Sequence, residues 1–164
     1  MKKILVLTVS DSASRGERVD VSGPLIAEIL KQKAPELSTS IELRIVSDEI
    51  DEIKNALILA VDSEYFDLIL TTGGTGASPR DFCPEATASV FDREMPGIAE
   101  FLRYIGGKHT PFAYLSRAKS GIRKQTLIVN FPGNPKAIRE SLEPALPLFA
   151  HCLSMLASVK EHTS

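Results

Sequence analysis

The strongest constraint on the fold is the alternation of short, continuously apolar runs with segments of helical periodicity. Residues 4–9 are an unbroken run of β-branched and aliphatic side chains, which is typical of a strand covered on both faces in a parallel sheet. Residues 65–72 and 126–131 predict two further strands. Because strands that alternate with helices form a mostly parallel sheet, the sequence predicts an α/β fold with three α/β/α layers and helices on both faces.

The remaining elements are less uniform in character. Residues 40–46 alternate apolar with charged side chains, which predicts a half-exposed strand at the edge of the sheet. Helices are predicted to begin at Gly23-Pro24, Ser47-Asp48, Pro84, Pro96-Gly97 and Lys136. The last of these is expected to break near Pro144 and Pro147. Residues 10–22 are predicted to be a loop, and residues 110–124 have no clear assignment.

Size and composition limit the class of protein. A chain of 164 residues with 43% apolar and 24% charged residues is expected to form one globular domain, residues 1–164. A formal net charge of −2 provides no long-range attraction for nucleic acid. Cys83 and Cys152 are too few for a disulfide framework and lack the spacing of a zinc site. Since no apolar stretch approaches the roughly 20 residues of a membrane span, we expect a soluble, cytoplasmic protein without membrane contact.

Polar and glycine-rich loops follow the four main predicted strands. In open parallel sheets, ligands bind beyond the carboxyl ends of the strands, so these loops are expected to share one rim. The candidate ligand-binding residues on this rim are Ser10, Asp11, Ser12, Thr72, Gly73, Gly74, Thr75, Gly76, Arg80, Pro132, Gly133 and Asn134, and the stretch before the last strand adds Ser116 and Arg117. The rim also carries the carboxylates of Asp48 and Asp81.

The loop Gly73–Gly76 permits two interpretations. Glycines allow close approach and positive φ, so that successive backbone N–H groups can point at phosphate oxygens. A strand-to-helix turn also requires glycine for purely steric reasons, and the loop alone does not decide between these. It matches neither the Walker loop nor the spaced dinucleotide fingerprint.

Two aspartates at the ends of different strand-loop units suggest a metal. Asp48 and Asp81 beside a polyphosphate would suit Mg²⁺, which takes one or two protein oxygens and completes its shell with water and substrate. The alternative for each aspartate alone is a helix cap. Arg80 and Arg117 are the cations we expect near the ligand. His109, His151 and His162 have no ligand spacing, so acyl transfer and zinc chemistry lack support.

The order of these motifs identifies a family. The relevant segments are residues 71–76 (TTGGTG), 79–87 (PRDFCPEAT), 92–97 (DREMPG), 115–117 (LSR) and 131–135 (FPGNP). Together they resemble the molybdopterin adenylyltransferase family of molybdenum cofactor biosynthesis, and residues 92–97 and 123–125 are closer to its bacterial adenylyltransferase branch than to the sister branch. The resemblance implies adenylyl transfer from Mg-ATP to the terminal phosphate of molybdopterin, with Asp48 and Asp81 catalytic and Mg²⁺ as cofactor.

The resemblance also implies a homotrimer and leaves open a hand-over to a molybdate-inserting enzyme. Two other functions compete with it: a non-catalytic pterin-binding or scaffold module, and the related domain that inserts molybdate, which belongs to longer chains. This chain departs from the family pattern at Ser47, where proline is frequent, and at Cys83, where threonine is frequent. We expect the first change to loosen the loop and the second to weaken a helix cap. An insertion found before the last helix of some bacterial relatives is missing.

Overall fold

The computed structural model describes residues 2–37 and 40–161, so both ends of the predicted domain 1–164 lie outside the described residues. The strands are β1 (Lys3–Val9), β2 (Ser40–Val46), β3 (Leu68–Thr72), β4 (Arg93–Glu94), β5 (Ser120–Arg123) and β6 (Thr126–Phe131). The helices are α1 (Asp11–Ser14), α2 (Ser22–Lys33), α3 (Ile50–Asp62), α4 (Cys83–Val90), α5 (Pro96–Gly107) and α6 (Pro135–Glu161), with a 3-10 helix at Pro111–Leu115.

The strands form one sheet in the order β2-β1-β3-β6-β5-β4. The first four strands in this order are parallel, whereas β5 and β4 are antiparallel to their neighbours. The prediction of a mostly parallel sheet is therefore confirmed. The prediction that β2 is an edge strand is confirmed as well, although its apolar Leu43 and Ile45 are 45% and 43% exposed.

Helices cover both faces of the sheet and create two separate cores. Alternate residues of β1 enter different cores, because successive side chains of a strand point to opposite faces. Ile4 and Val6 pack with side chains of α2, α5 and α6, while Leu5 and Leu7 pack with those of α3 and α4. This arrangement confirms the three-layer fold. No helix among the described residues is long and apolar enough to cross a membrane.

Two local predictions were wrong, and one unassigned stretch is resolved. The loop predicted over residues 10–22 contains the four-residue α1, which the Ser10 hydroxyl caps by accepting from the Ala13 N–H at 3.2 Å. The third strand begins at Leu68 rather than residue 65, because Tyr65 turns the chain with a φ of +58°. The unassigned stretch before β6 supplies the 3-10 helix and β5.

The predicted breaks in the last helix were also wrong, since α6 is continuous through Pro144 and Pro147. Both prolines are exposed, so water can satisfy the carbonyls that lose an N–H donor. The opposite face of α6 is buried in the core through Ile138, Leu142, Ala145, Leu146, Phe149, Cys152, Leu153 and Leu156. Burial of that many side chains outweighs a penalty of about 3 kcal/mol for each proline.

The strand order places a topological switch point between β1 and β3. From β1 the chain crosses by α2 to β2 on one side and then by α3 to β3 on the other side. The loops after β1 and β3 thus leave the sheet in opposite directions and open a crevice at the carboxyl ends of the strands. Ser10, Thr72 and Gly73, which the sequence predicted to bind ligand, border this crevice.

Candidate functional site

Gly73, in the loop after β3, packs closely against the loops that follow β1 and β6. Its N–H donates to the Phe131 carbonyl at 3.1 Å, and its φ is +99°. A Cβ on Gly73 would lie 2.4 Å from the Val9 carbonyl oxygen, and one on Gly133 would lie 3.3 Å from the Gly73 Cα. The steric explanation for glycine therefore holds at this position, because no side chain fits between the loops.

The next two glycines make room for the predicted catalytic carboxylates. Gly74 has a φ of +64°, and a Cβ there would lie 3.2 Å from Asp48 Oδ1. A Cβ on Gly76 would lie 2.9 Å from Asp81 Oδ2. Both aspartates consequently lie against the backbone of the glycine-rich loop, as the sequence predicted.

Asp48 is held by the loop after β1. The Asp11 N–H donates to Asp48 Oδ2 at 2.8 Å, and the Asp48 N–H donates back to Asp11 Oδ1 at 3.0 Å. The helix-cap alternative for Asp48 was wrong, because the N-cap residue of α3 is Glu49 and no side chain caps that helix. The reciprocal pair instead locks two rim loops together.

Arg80 is the cation that contacts this acidic cluster. It donates from Nε and from one terminal nitrogen to Asp11 at 3.0 and 3.1 Å, and to Glu49 at 2.8 Å. The Asp48 N–H and then Arg80 hold the pKa of Asp11 below its usual value, although partial burial opposes them. Burial raises the pKa of Asp48, and the nearby negative charges of Asp11 and Asp81 add to this rise. Asp48 thus lies in a locally acidic, partly desolvated place.

Asp81 closes the turn that leads into α4. Its Oδ2 accepts from the Ser78 N–H at 3.0 Å, so it does not cap α4, whose N-cap residue Phe82 has no side-chain bond. Arg117 fixes the same turn from the other side, because Nε donates to the Gly76 carbonyl at 2.8 Å and a terminal nitrogen donates to the Asp81 carbonyl. Arg117 also pairs with Glu85, so its contacts indicate a clamp on the loop rather than a ligand-binding arm.

Two cavities flank this loop and contain part of the candidate residues, whereas neither is lined by Asp11, Ser12, Asp48, Gly74, Arg80, Asp81 or Arg117. The larger, of about 610 Å³, has both polar and apolar groups in its wall and lies between the loop after β1, the start of α2 and the turn after β6. It contains the candidates Ser10, Thr72, Gly73, Gly133 and Asn134. Its wall is fixed by the Thr72 hydroxyl, which donates to the Pro132 carbonyl at 2.8 Å, and by the Ser22 hydroxyl, which donates to the Gly133 carbonyl at 2.6 Å.

The second cavity, of about 280 Å³, lies beneath the 3-10 helix and is mainly apolar. It contains the candidates Thr75, Gly76, Ser116, Pro132 and Asn134, together with Leu102, Phe112 and Leu115 from α5 and the 3-10 helix. Asn134 belongs to both cavities, and its side chain begins α6 by accepting from the Lys136 N–H at 2.9 Å. Ser12 lies beside the larger cavity, with its hydroxyl 3.3 Å from that of Ser10.

The donor set limits how a metal could bind. Among residues 2–37 and 40–161, no group of three or more His, Cys, Asp or Glu side chains is arranged to hold a metal ion. Asp48 and Asp81 remain as two carboxylates close enough for the charge on one to raise the pKa of the other. Two carboxylates fit Mg²⁺ only where a substrate supplies further oxygens.

Sequence reasoning missed Asp20. It lines the larger cavity, accepts from the Thr8 hydroxyl at 2.7 Å and accepts from the Gly23 N–H at 3.1 Å. The Gly23-Pro24 helix start was a signal that a polar side chain should precede it, although the N-cap residue of α2 is Val21, which makes no side-chain cap hydrogen bond, and Asp20 lies one residue before it. The contact with Thr8 had no signal, because it depends on the packing of α2 against β1.

Both family departures have a structural outcome that differs from expectation. The Ser47 hydroxyl donates to Glu52 at 2.6 Å and accepts from the Glu49 N–H at 3.2 Å, so the loop is held rather than loosened. Cys83 does not cap α4, because its thiol is fully buried and donates to the Thr71 hydroxyl at 3.4 Å. Arg123, from the family-like stretch 123–125, is the last residue of β5 and lies beside Thr126 at the opposite end of β6, where it pairs with Asp62.

Fold and geometry together define an α/β protein with an acidic, glycine-lined candidate site at its topological switch point. Residues 5–151 match the model of the family described as the probable molybdopterin binding domain. This match covers more than half of the chain, so the protein belongs to that family, and the family recognised from the sequence motifs is confirmed.

Individual relatives agree with this assignment. The chain is 43% identical over 153 residues to a molybdopterin adenylyltransferase of Helicobacter pylori, covering 92% of this chain and 85% of the relative. It is 45% identical over 143 residues to that of Escherichia coli K12, covering 86% and 72%. The solved structure of the molybdopterin biosynthesis enzyme MoaB from Thermus thermophilus is 46% identical, with a TM-score of 0.86 over 96% of this chain and 98% of that one.

Proposed function

We propose that this protein transfers the adenylyl group of Mg-ATP to the terminal phosphate of molybdopterin and releases pyrophosphate. The relatives named molybdopterin adenylyltransferase support this reaction. The observation that carries the proposal is the position of Asp48 and Asp81 against Gly74 and Gly76, which places two carboxylates beside the backbone of the glycine-rich loop.

The chemistry of the transfer requires alignment more than proton movement. A phosphate monoester has a second pKa of about 6 and is largely dianionic at neutral pH, so its oxygen can attack the α-phosphorus without a general base. A new bond forms between that oxygen and the α-phosphorus, and the bond from the α-phosphorus to the bridging oxygen breaks as pyrophosphate leaves. The site must therefore hold two anionic substrates in line and balance their charge.

The charges of the site support a need for Mg²⁺. Asp11, Asp48 and Asp81 interact electrostatically, and Arg80 divides its donors between Asp11 and Glu49. Asp48 and Asp81 would hold the ion, which would supply positive charge to the phosphates of ATP. Arg80 would keep Asp11 oriented so that its N–H continues to hold Asp48.

The two cavities suit different parts of the substrates. The larger cavity lies at the start of α2 and α6, where helix N-termini favour negative charge, and it can take phosphate groups. The apolar cavity beneath the 3-10 helix can take a flat ring. Asn134 is common to both, so one ligand can extend from one cavity into the other.

The decisive experiment measures transfer of labelled adenylate. Purified protein with ATP, magnesium and molybdopterin should give adenylylated molybdopterin and pyrophosphate, and Asp81→Ala should abolish the product while thermal unfolding stays cooperative. An active Asp81→Ala variant would refute the mechanism. Molybdopterin binding without ATP turnover in the wild type would establish the non-catalytic pterin-binding alternative instead.

We also propose that the protein acts as a cytoplasmic homotrimer that passes its product to a molybdate-inserting enzyme. Exposed Tyr104, Phe112, Tyr114 and Leu115 supply an apolar surface that supports self-association. Light scattering should give three times the chain mass of 17.9 kDa. A monomer in dilute solution would remove the trimer from the proposal.

A further inference from the structure

A buried polar network lies directly behind the glycine-rich loop. Its centre is Asn130, the polar residue of the otherwise apolar stretch 127–131, and its side chain is completely buried. The Asn130 Nδ2 donates to the hydroxyls of Thr71 and Thr87 at 2.8 and 2.9 Å. Its Oδ1 accepts from the Lys119 N–H at 3.0 Å, which fixes the orientation of the amide, since a backbone N–H can only donate.

The hydrogen-bond partners of Asn130 lie in different elements that hold the glycine-rich loop in place. Thr71 is the second-last residue of β3 and leads into the glycine-rich loop. Thr87 donates to the Cys83 carbonyl at 2.6 Å, and the Cys83 N–H donates to the Gly74 carbonyl at 3.2 Å, which ties the first turn of α4 to the same loop. The Asn130 side chain thus connects the end of β3, where the loop begins, with the first turn of α4, which follows the loop.

The third partner connects the network to the clamp. Lys119 follows Arg117 by two residues, and the Arg117 guanidinium donates to the carbonyls of Gly76 and Asp81. The segment is also fixed by backbone bonds, because the Arg117 N–H donates to the Thr75 carbonyl at 2.8 Å. If Asn130 moved, the turn that contains Asp81 would therefore be disturbed both through α4 and through the segment that carries Arg117.

The hydrogen-bond energetics of Asn130 favour a role in fixing the geometry of the loop rather than in raising the free energy of unfolding. A buried amide contributes little net free energy when all its bonds are made, because it exchanges bonds with water for bonds with protein. An apolar side chain such as the neighbouring Val129 would fill a strand position at no desolvation cost. A fully satisfied network instead favours one arrangement of its partners, since every alternative leaves a buried polar group without a bond.

We propose that Asn130, acting through Thr71, Thr87 and Lys119, is a positioning residue that sets the placement of Asp81 and the glycine-rich loop for adenylyl transfer. This inference rests on the proposed function for its kinetic readout. It assigns to Asn130 no contact with the reacting atoms. We expect loss of this positioning to lower kcat rather than to raise KM, because a displaced carboxylate alters the alignment of the substrates more than it alters their affinity.

The test uses matched variants in kinetics and amide hydrogen exchange. Thr87→Val removes the hydroxyl with little change of shape, Thr87→Ser retains it, and Asn130→Ala removes the centre of the network. Thr126→Val is the control, because Thr126 is 3% exposed, lies at the other end of β6, and donates to the Phe66 carbonyl at 2.6 Å. The Thr126→Val variant loses a hydrogen bond that is equally buried but lies away from the glycine-rich loop.

We expect Thr87→Val and Asn130→Ala to lower kcat by about 10–100-fold while KM for ATP changes by less than about threefold. Thr87→Ser should recover most of the rate, and Thr126→Val should lower the melting temperature without lowering kcat. Amides of residues 74–81 should exchange faster in Thr87→Val and Asn130→Ala but not in Thr126→Val.

Two results would overturn the inference. One is a Thr87→Val enzyme with wild-type kcat and wild-type exchange over residues 74–81. The other is an equal loss of kcat in Thr126→Val, which would assign the effect to general destabilisation. A wild-type protein without any adenylyl transfer refutes the proposed function separately, and the exchange data then still decide whether the network fixes the loop.

Discussion

The substitution Gly73→Ala tests how tightly the loops of the site are packed. Gly73 has a φ of +99°, and an alanine Cβ would lie 2.4 Å from the Val9 carbonyl oxygen. The positive φ costs a non-glycine residue about 1–2 kcal/mol. Forcing an extra methyl group into a packed position costs about 1–3 kcal/mol more. We therefore expect the free energy of unfolding to fall by about 3 kcal/mol.

Two other glycines separate these contributions. Gly16 also has a positive φ, +72°, but nothing lies within 4 Å of a Cβ built there, so Gly16→Ala should show the backbone cost alone. Gly97 lies in α5 with no atom within 4 Å and an ordinary φ, so Gly97→Ala should stabilise by about 0.5–1 kcal/mol. Urea unfolding of the three variants beside the wild type measures each difference.

The same substitution should affect catalysis. A contact of 2.4 Å must open to at least 3.0 Å, so the loop or the Val9 carbonyl has to shift by several tenths of an ångström. A displacement approaching 1 Å at a reacting centre costs on the order of 100-fold in rate. Adenylyl transfer by Gly73→Ala should fall accordingly, while Gly16→Ala stays near the wild type. Equal stability losses for Gly73→Ala and Gly16→Ala would refute the steric argument.

Three further predictions follow from other contacts. Arg123 and Lys124 lower the pKa of Asp62 to about 2, so Asp62→Asn should cost about 1 kcal/mol at neutral pH, and this difference should vanish in urea titrations as the pH falls from about 4 towards 2. Burial raises the pKa of the Cys83 thiol to about 11, so alkylation at pH 8 should require unfolding, and a thiol that reacts in the native state would contradict its burial. Arg117→Lys should lower kcat by roughly 10-fold, because an ammonium cannot reproduce the planar donor fork that reaches two carbonyls; an unchanged kcat would show that the clamp is dispensable.

The parts of the fold that the sequence predicted correctly are those governed by local pattern. The strand at residues 4–9 is buried on both faces, and its unbroken apolar run is sufficient to show this. The convergence of Asp48 and Asp81 on the glycine-rich loop followed from topology, since parallel strands end at one rim. The composition of each segment carried these predictions without any knowledge of the packing.

The parts that sequence reasoning missed depend on contacts between distant segments. Asn130 and Thr87 are 43 residues apart, and nothing in either segment indicates that their side chains meet. Arg117 was predicted to be a cation near the ligand, yet its donors are directed to backbone carbonyls 36 and 41 residues away. Pro144 was expected to break α6 because local propensity ignores the core that covers the opposite face of that helix.

The partners of the carboxylates distinguish a structural role from a functional one within this protein. Asp62 is paired with Arg123 and Lys124, and its pKa falls to about 2 because cations already balance its charge. Asp48 is held instead by a backbone N–H and by the space that Gly74 leaves, and its pKa is raised by burial. Because Asp48 is held by a backbone N–H, no bonded side-chain cation compensates its negative charge. A cation that enters the site therefore gains more by binding Asp48 than by binding Asp62. The geometry thus supports our proposal that the carboxylate at the glycine-rich loop receives a magnesium-bound nucleotide, although both side chains look alike in the sequence.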